Sequence, residues 1–223
     1  MRAIILGVVM SVLFSSCQTQ SDVDRFTIVC LGDSTTAGTP GFLSPSEHPP
    51  EGQGDVRSQY AYWLQQRSPN WQVLNRGVRG QRTDQIKKRW SREVLSAKPQ
   101  VVVVLAGVND LYQGYDEATV KKNLSEIYEL AAKAHIRVVA STILPYNFST
   151  PEVREKMDHV NQWIRQYSAE HGLFFCDLFT ALQDPRVPHT LLGSPDGIHP
   201  DIEGYHLMAD ALKPMIDKAL ENL

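Results

Sequence analysis

The chain has 223 residues, 42% of them hydrophobic, which suffices for one domain with a substantial core and is marginal for two. A formal net charge of −3 argues against nucleic acid as the main partner. No stretch is repeated, low in complexity or made of a block of like charges, so the composition is that of a globular domain.

Arg2 stands ahead of an almost wholly apolar run from Ala3 to Phe14, and Ser15-Ser16-Cys17 follows. A positive end, a short greasy stretch and small residues at a cut site are the layout of a secretory signal over residues 1–16. The run is too short for a lasting transmembrane helix, which needs about 20 apolar residues. A cysteine directly after the small pair resembles the bacterial lipoprotein signal, with Phe14 where leucine is more usual. That resemblance implies that Cys17 is lipidated as the first mature residue and that residues 17–24 are a polar tether. It also implies an exported protein held at a membrane of the bacterial cell envelope.

Beyond the tether, residues 25–223 read as alternating strands and helices. Short apolar runs at Phe26–Leu31, Trp71–Leu74, Val101–Ala106, Val138–Ile143 and Leu173–Cys176 predict strands. Val101 to Leu105 shows no polar alternation, so it is expected to be buried on both faces at the centre of a parallel sheet. Between the strands lie helical stripes: Tyr60, Trp63 and Leu64; then Ile86, Trp90 and Val94; then Val120, Leu124, Ile127 and Leu130 or Ala131. Thr150-Pro151-Glu152 opens a further helix, with a capping threonine and a proline at the first helical position. The last helix is expected from His206 to Leu223, with Leu207, Ala211, Met215 and Leu220 or Ala219 on its apolar side. The fold class that follows is α/β: a three-layer α/β/α sandwich on a mostly parallel five-stranded sheet, with ligands at the carboxyl ends of the strands.

One segment breaks this rhythm. Thr39 to Asp55 carries Pro40, Pro45, Pro49 and Pro50 with Gly41, Gly52 and Gly54, and so predicts a long loop. Because it starts five residues past Ser34, it is expected to fold over the same cleft, the alternative being a loose surface insertion. Cys30 and Cys176 lie in apolar strand-like runs and read as small buried hydrophobes, with a disulfide as the alternative. No spacing of Cys and His suggests a metal site, and no cofactor is expected.

Chemistry-bearing residues fall at the expected strand ends. Gly32-Asp33-Ser34-Thr35 follows the first strand, Asn75-Arg76-Gly77-Val78-Arg79-Gly80 the second, and Gly107-Val108-Asn109-Asp110 the third. Asp196-Gly197-Ile198-His199-Pro200 lies before the last helix. A serine hydroxyl at a rigid strand end, an imidazole and a carboxylate three residues from it are the parts of nucleophilic acyl transfer. Gly-x-Ser-x-Gly, a lysine-bearing phosphate loop and a dinucleotide fingerprint are all missing.

From Phe26 to the last helix, these four blocks in this order resemble the GDSL, or SGNH, hydrolase superfamily, whose fold is flavodoxin-like. The resemblance implies Ser34 as nucleophile, His199 as its base and later acid, and Asp196 as the residue that orients the imidazole. It also implies an oxyanion hole made of the Ser34 N–H, the Gly80 N–H and the Asn109 side-chain amide. Gly77 also follows the second strand, but the family's glycine usually comes just before the next helix, which favours Gly80. Thr35 stands where the family usually has leucine. Asp33 and Asp110 are expected to hold their loops through backbone N–H groups.

The implied activity is hydrolysis of carboxylic esters through an acyl-enzyme, with an O-acetyl or short-acyl ester of a small molecule or carbohydrate as the expected substrate. Lysophospholipase or acyl thioesterase activity is the alternative within the superfamily, and a non-catalytic lipid-anchored binder the alternative outside it. Arg79, flanked by Arg76 and Arg82, is a candidate for binding an anionic substrate group, against the plainer reading of three arginines paired with nearby acids.

Overall fold

The computed structural model describes residues 25–221. The expected signal peptide, Cys17 and the tether of residues 17–24 lie outside the described residues.

Strand β1 (Phe26–Gly32) leads into the short helix α1 (Ser34–Ala37), and β2 (Phe42–Leu43) and β3 (Gln53–Gly54) follow as a small antiparallel pair. Next come α2 (Tyr60–Arg67), β4 (Trp71–Gly77), α3 (Thr83–Lys88), α4 (Trp90–Glu93), β5 (Val101–Leu105) and α5 (Val108–Tyr112). The chain closes with α6 (Glu117–Lys133), β6 (Arg137–Ser141), α7 (Pro151–His171), β7 (Phe174–Cys176), α8 (Leu178–Leu182) and α9 (Ile202–Leu220). The five long-range strands form one parallel sheet in the order β4-β1-β5-β6-β7.

Period-two alternation divides each strand between two helical layers. Val29, Leu31, Val102 and Val104 face one apolar cluster with Ile86, Trp90, Val120, Leu124 and Ile127. Ile28, Cys30, Val101 and Val103 face the other, with Tyr60, Leu64, Tyr205, Met208 and Leu212. The result is the expected three-layer α/β/α sandwich, with β5 buried at every position. Cys30 and Cys176 are free thiols inside it, and burial pushes each up to about 12.

Sheet order is what makes a site. After β1 the chain adds β4 on one flank, then crosses to add β5 on the other. The segments leaving β1 and β5 therefore part company, and a crevice opens at the carboxyl ends of the central strands.

Several boundaries differ from the sequence expectation, each for a physical reason. Strand β4 runs on through Asn75 and Arg76 to Gly77, because all seven of its residues pair with β1. The stripe of Ile86, Trp90 and Val94 is buried, but the helix breaks at Arg89, whose side chain turns inward. Helix α9 starts earlier than His206, at Ile202, because Asp201 caps it by accepting from the Gly204 N–H at 2.8 Å. Its fully buried stripe is Tyr205, Met208, Ala209, Leu212, Ile216 and Ala219. Leu207, Ala211, Met215 and Leu220 are only partly buried at its margin. Helix α7 begins as expected, with Thr150 Oγ1 accepting from the Val153 N–H ahead of Pro151.

The proline-rich segment is neither a cleft cover nor a loose insertion. Of residues 39–55 only Thr39 lines the cleft. The segment is anchored at the end of β4, where Phe42 and Ser44 are buried and the Ser44 hydroxyl donates to the Gly77 carbonyl at 2.5 Å, while residues 48–51 are exposed.

Candidate active site

Ser34 opens α1 directly after β1, and Asp33 shapes that corner by accepting the Thr35 N–H at 3.0 Å. Burial pushes the Asp33 carboxyl up to about 7, against the opposing pull of the Thr35 N–H and of Arg89, with Asp110 adding a smaller push upward. The hydroxyl of Ser34 lies 2.9 Å from His199 Nε2, although 165 residues separate them in the chain. His199 Nδ1 lies 2.7 Å from Asp196 Oδ2. The other carboxylate oxygen, Oδ1, accepts from the backbone N–H of His199 at 2.8 Å and of Ile198 at 2.9 Å.

Asp196 is therefore fixed at both oxygens. Burial opposes its ionisation, but the His199 ring and the two backbone N–H groups outweigh that and hold the carboxyl below the usual range. The loop carrying it is itself braced. Ser194 Oγ donates to the His199 carbonyl at 2.6 Å, and the Asn147 N–H donates to the Gly197 carbonyl at 2.7 Å.

A cleft of about 260 Å³ lies over this array and is lined by Ser34, Gly80, Asn109 and His199 together. Its opposite wall is apolar, built from Leu105, Val108, Ile143, Leu144, Tyr112 and Tyr146. The sequence marked none of these as cleft wall, because they become neighbours only where β5 and β6 end side by side.

The two glycines after the β4 chemistry separate cleanly. The Gly77 N–H donates to Asn75 Oδ1 at 2.9 Å, and a Cβ there would run into the Ala37 backbone nitrogen. Gly80 lines the cleft, has φ +71° and has open space where a Cβ would point. Among the described residues, neither the Ser34 nor the Gly80 N–H donates to a protein acceptor. Asn109 uses one amide hydrogen on the Gln81 carbonyl at 3.0 Å and keeps the second. Asp110 takes the Thr83 N–H at 2.9 Å and the Thr83 hydroxyl at 2.6 Å, so it ties the start of α3 to α5.

The three arginines part ways. Arg79 lines the cleft mouth while its Nε meets Glu47 Oε1 at 3.0 Å. Arg76 turns to Glu93 and Arg82 to Asp84, and neither lines the cleft. Arg89, which the sequence reading passed over, is 5% exposed beneath the site. Its signal was its spacing: three residues past Ile86 on a buried stripe is an inward-facing position.

A serine in contact with an imidazole, a carboxylate behind that ring and N–H donors beside the serine can together perform acyl transfer. Comparison with known proteins agrees in kind. Residues 30–207 match the GDSL-like Lipase/Acylhydrolase family. An acetylxylan esterase of Geobacillus stearothermophilus is 26% identical over 153 residues, covering 62% of this chain and 69% of that protein. A putative lipolytic protein of the G-D-S-L family from Desulfitobacterium hafniense superposes with a TM-score of 0.71 at 24% identity, covering 86% of this chain and 99% of that one. A GDSL-like lipase from Bacteroides thetaiotaomicron gives a TM-score of 0.69 at 24% identity, covering 87% and 89%.

Proposed function

The chain belongs to the GDSL-like lipase/acylhydrolase family and is a hydrolase acting on esters, and from that premise we propose that Ser34 is its nucleophile. His199 Nε2 takes the serine proton as Oγ attacks the ester carbonyl carbon. The oxyanion that forms is held by the N–H groups of Ser34 and Gly80 and by the free amide hydrogen of Asn109. Collapse breaks the ester C–O bond, and His199 returns the proton to the departing alcohol. Water, deprotonated by the same imidazole, then attacks the acyl-enzyme and releases the acid, restoring Ser34. Asp196 keeps the ring in the tautomer that accepts at Nε2 and offsets the charge it gains.

The observation that carries this reading is the 2.9 Å approach of Ser34 Oγ to His199 Nε2. Its test is covalent labelling by a fluorophosphonate probe. Labelling and esterase turnover are expected in the native protein and lost together in Ser34→Ala; a variant that still hydrolysed p-nitrophenyl acetate at the native rate would overturn it.

For the substrate, the acetylxylan esterase relative favours an O-acetyl or other short-acyl ester on carbohydrate. The apolar wall at Ile143, Leu144 and Tyr146 favours a second reading, a longer acyl chain as in a lysophospholipase or acyl thioesterase. Rates across p-nitrophenyl esters from acetate to decanoate separate the two. Arg79, at the mouth, is the candidate contact for an anionic substrate group. Export and anchoring through a lipid on Cys17 belong to the same proposal, and equal fatty-acid labelling of Cys17→Ala would refute the anchor.

A further inference from the structure

Arg89 is a long cationic side chain with almost no access to water, and burial lowers it to about 10. A guanidinium in that position is tolerated only where its N–H groups find acceptors. Here they find three, each at 2.6 Å. One terminal nitrogen donates to the Gly32 carbonyl, the other to the Arg76 carbonyl, and Nε donates to Gln81 Oε1.

These acceptors belong to two stretches of chain, the end of β1 and the segment that runs from β4 past Gly80. Gly32 ends β1, two residues before Ser34, and Arg76 is the penultimate residue of β4, on the strand that leads to Gly80. Gln81 follows Gly80, and its own carbonyl takes the Asn109 amide hydrogen at 3.0 Å. One planar fork thus reaches the backbone beside Ser34 and Gly80 and, through Gln81, the side-chain amide of Asn109. The loop around Gly80 is tied at its other positions too. The Val78 N–H meets the Gly32 carbonyl at 3.2 Å, and the Arg79 N–H meets Glu47 at 2.9 Å.

We propose that Arg89 is a positioning residue that sets the spacing of the oxyanion hole by clamping the ends of β1 and β4 to Gln81. This rests on the reading of Ser34, Gly80 and Asn109 given above. Arg89 lies behind the hole and does not touch substrate. Its planar, three-way donation is what a lysine, with one compact head, cannot reproduce. A displacement of about 1 Å among such donors is enough to cost about 10²-fold in rate.

The test uses Arg89→Lys and, because that variant removes buried hydrogen bonds and can fail to fold, Gln81→Ala as a second. Both are assayed on p-nitrophenyl acetate well below their melting temperatures. Arg89→Lys is expected to lower kcat by about 10- to 100-fold while KM moves less than about threefold. Gln81→Ala is expected to lower kcat by about tenfold in the same pattern. Each is then combined with Asn109→Ala. A residue acting through the oxyanion hole costs clearly less in that background than in the native one, because part of what it positions is already gone. A residue that only supports the fold multiplies through unchanged. Native kcat in Arg89→Lys, or in Gln81→Ala should the lysine variant not fold, overturns the proposal, as does strict additivity with Asn109→Ala. If instead Ser34→Ala stays active, the nucleophile assignment fails and Arg89 is not at fault.

Discussion

Replacing Asp196 by asparagine exchanges one carboxylate oxygen for an NH₂ group and should disable the site through a tautomer. Oδ1 of Asp196 accepts two backbone N–H groups, at 2.8 and 2.9 Å, while Oδ2 faces His199 Nδ1 at 2.7 Å. An amide has one oxygen to serve both sides. If that oxygen stays on the backbone pair, the NH₂ points at Nδ1 and forces the ring proton onto Nε2, toward the Ser34 hydroxyl. Such a ring cannot accept the serine proton. If the amide flips, two backbone donors lose their acceptor, at about 1–3 kcal/mol each. Reaching the productive tautomer therefore costs about 2–6 kcal/mol, or about 30-fold to 10⁴-fold in rate at roughly 1.4 kcal/mol per decade. The Asp196 side chain is 35% exposed, so water relieves part of the flip penalty, whereas loss of the carboxylate charge beside a forming imidazolium adds to it. We expect kcat for p-nitrophenyl acetate at pH 7.5 to fall about 10³-fold. The melting temperature should shift by no more than about 4 °C. An Asp196→Asn protein that is folded and keeps more than about a tenth of native kcat would refute the tautomer argument.

The paired glycines give a structural contrast. Gly77→Ala should lose cooperative melting or solubility, because its Cβ meets the Ala37 backbone, which has no flexible end to move. Gly80→Ala should fold with a loss of only about 1–2 kcal/mol for a left-handed alanine, since nothing lies in its path; equal urea midpoints for the two variants would contradict the placement. Asp33 supplies a pH dependence. Its folded value near 7 lies above that of an unfolded aspartate, so the stability it contributes is whole below about pH 4 and is lost as pH rises through 7. Asp33→Asn should therefore gain on the native protein in urea melts between pH 5 and pH 8, by up to about 3 kcal/mol, and a difference that is flat or falls with pH would show that burial does not govern this carboxyl.

Much of this protein was already decided locally. Unbroken apolar runs such as Val101–Leu105 specify strands buried on both faces, and Thr150-Pro151 caps α7 wherever that helix ends up. Ser34, Gly80, Asn109 and His199 could be singled out because each stands in a short motif at an element's end, and the structure brings all four to one cleft. What the sequence could not contain is anything that depends on which ends become neighbours. The wall of Ile143, Leu144 and Tyr146 exists only because β6 lies beside β5. The proline-rich segment was rightly read as irregular, but its anchor, the Ser44 hydroxyl on the Gly77 carbonyl, joins positions 33 residues apart that only the tertiary structure brings together. What distinguishes Gly77 from Gly80 is the hydrogen bond that the Gly77 N–H donates to the Asn75 side chain and the closeness of Ala37, one local and one 40 residues away. Arg89 is the sharpest instance. Propensity treats an arginine in a helix as a solvated charge, and its burial is made stable by three acceptors, of which Gln81 and Arg76 lie 8 and 13 residues away and Gly32 lies 57 residues away.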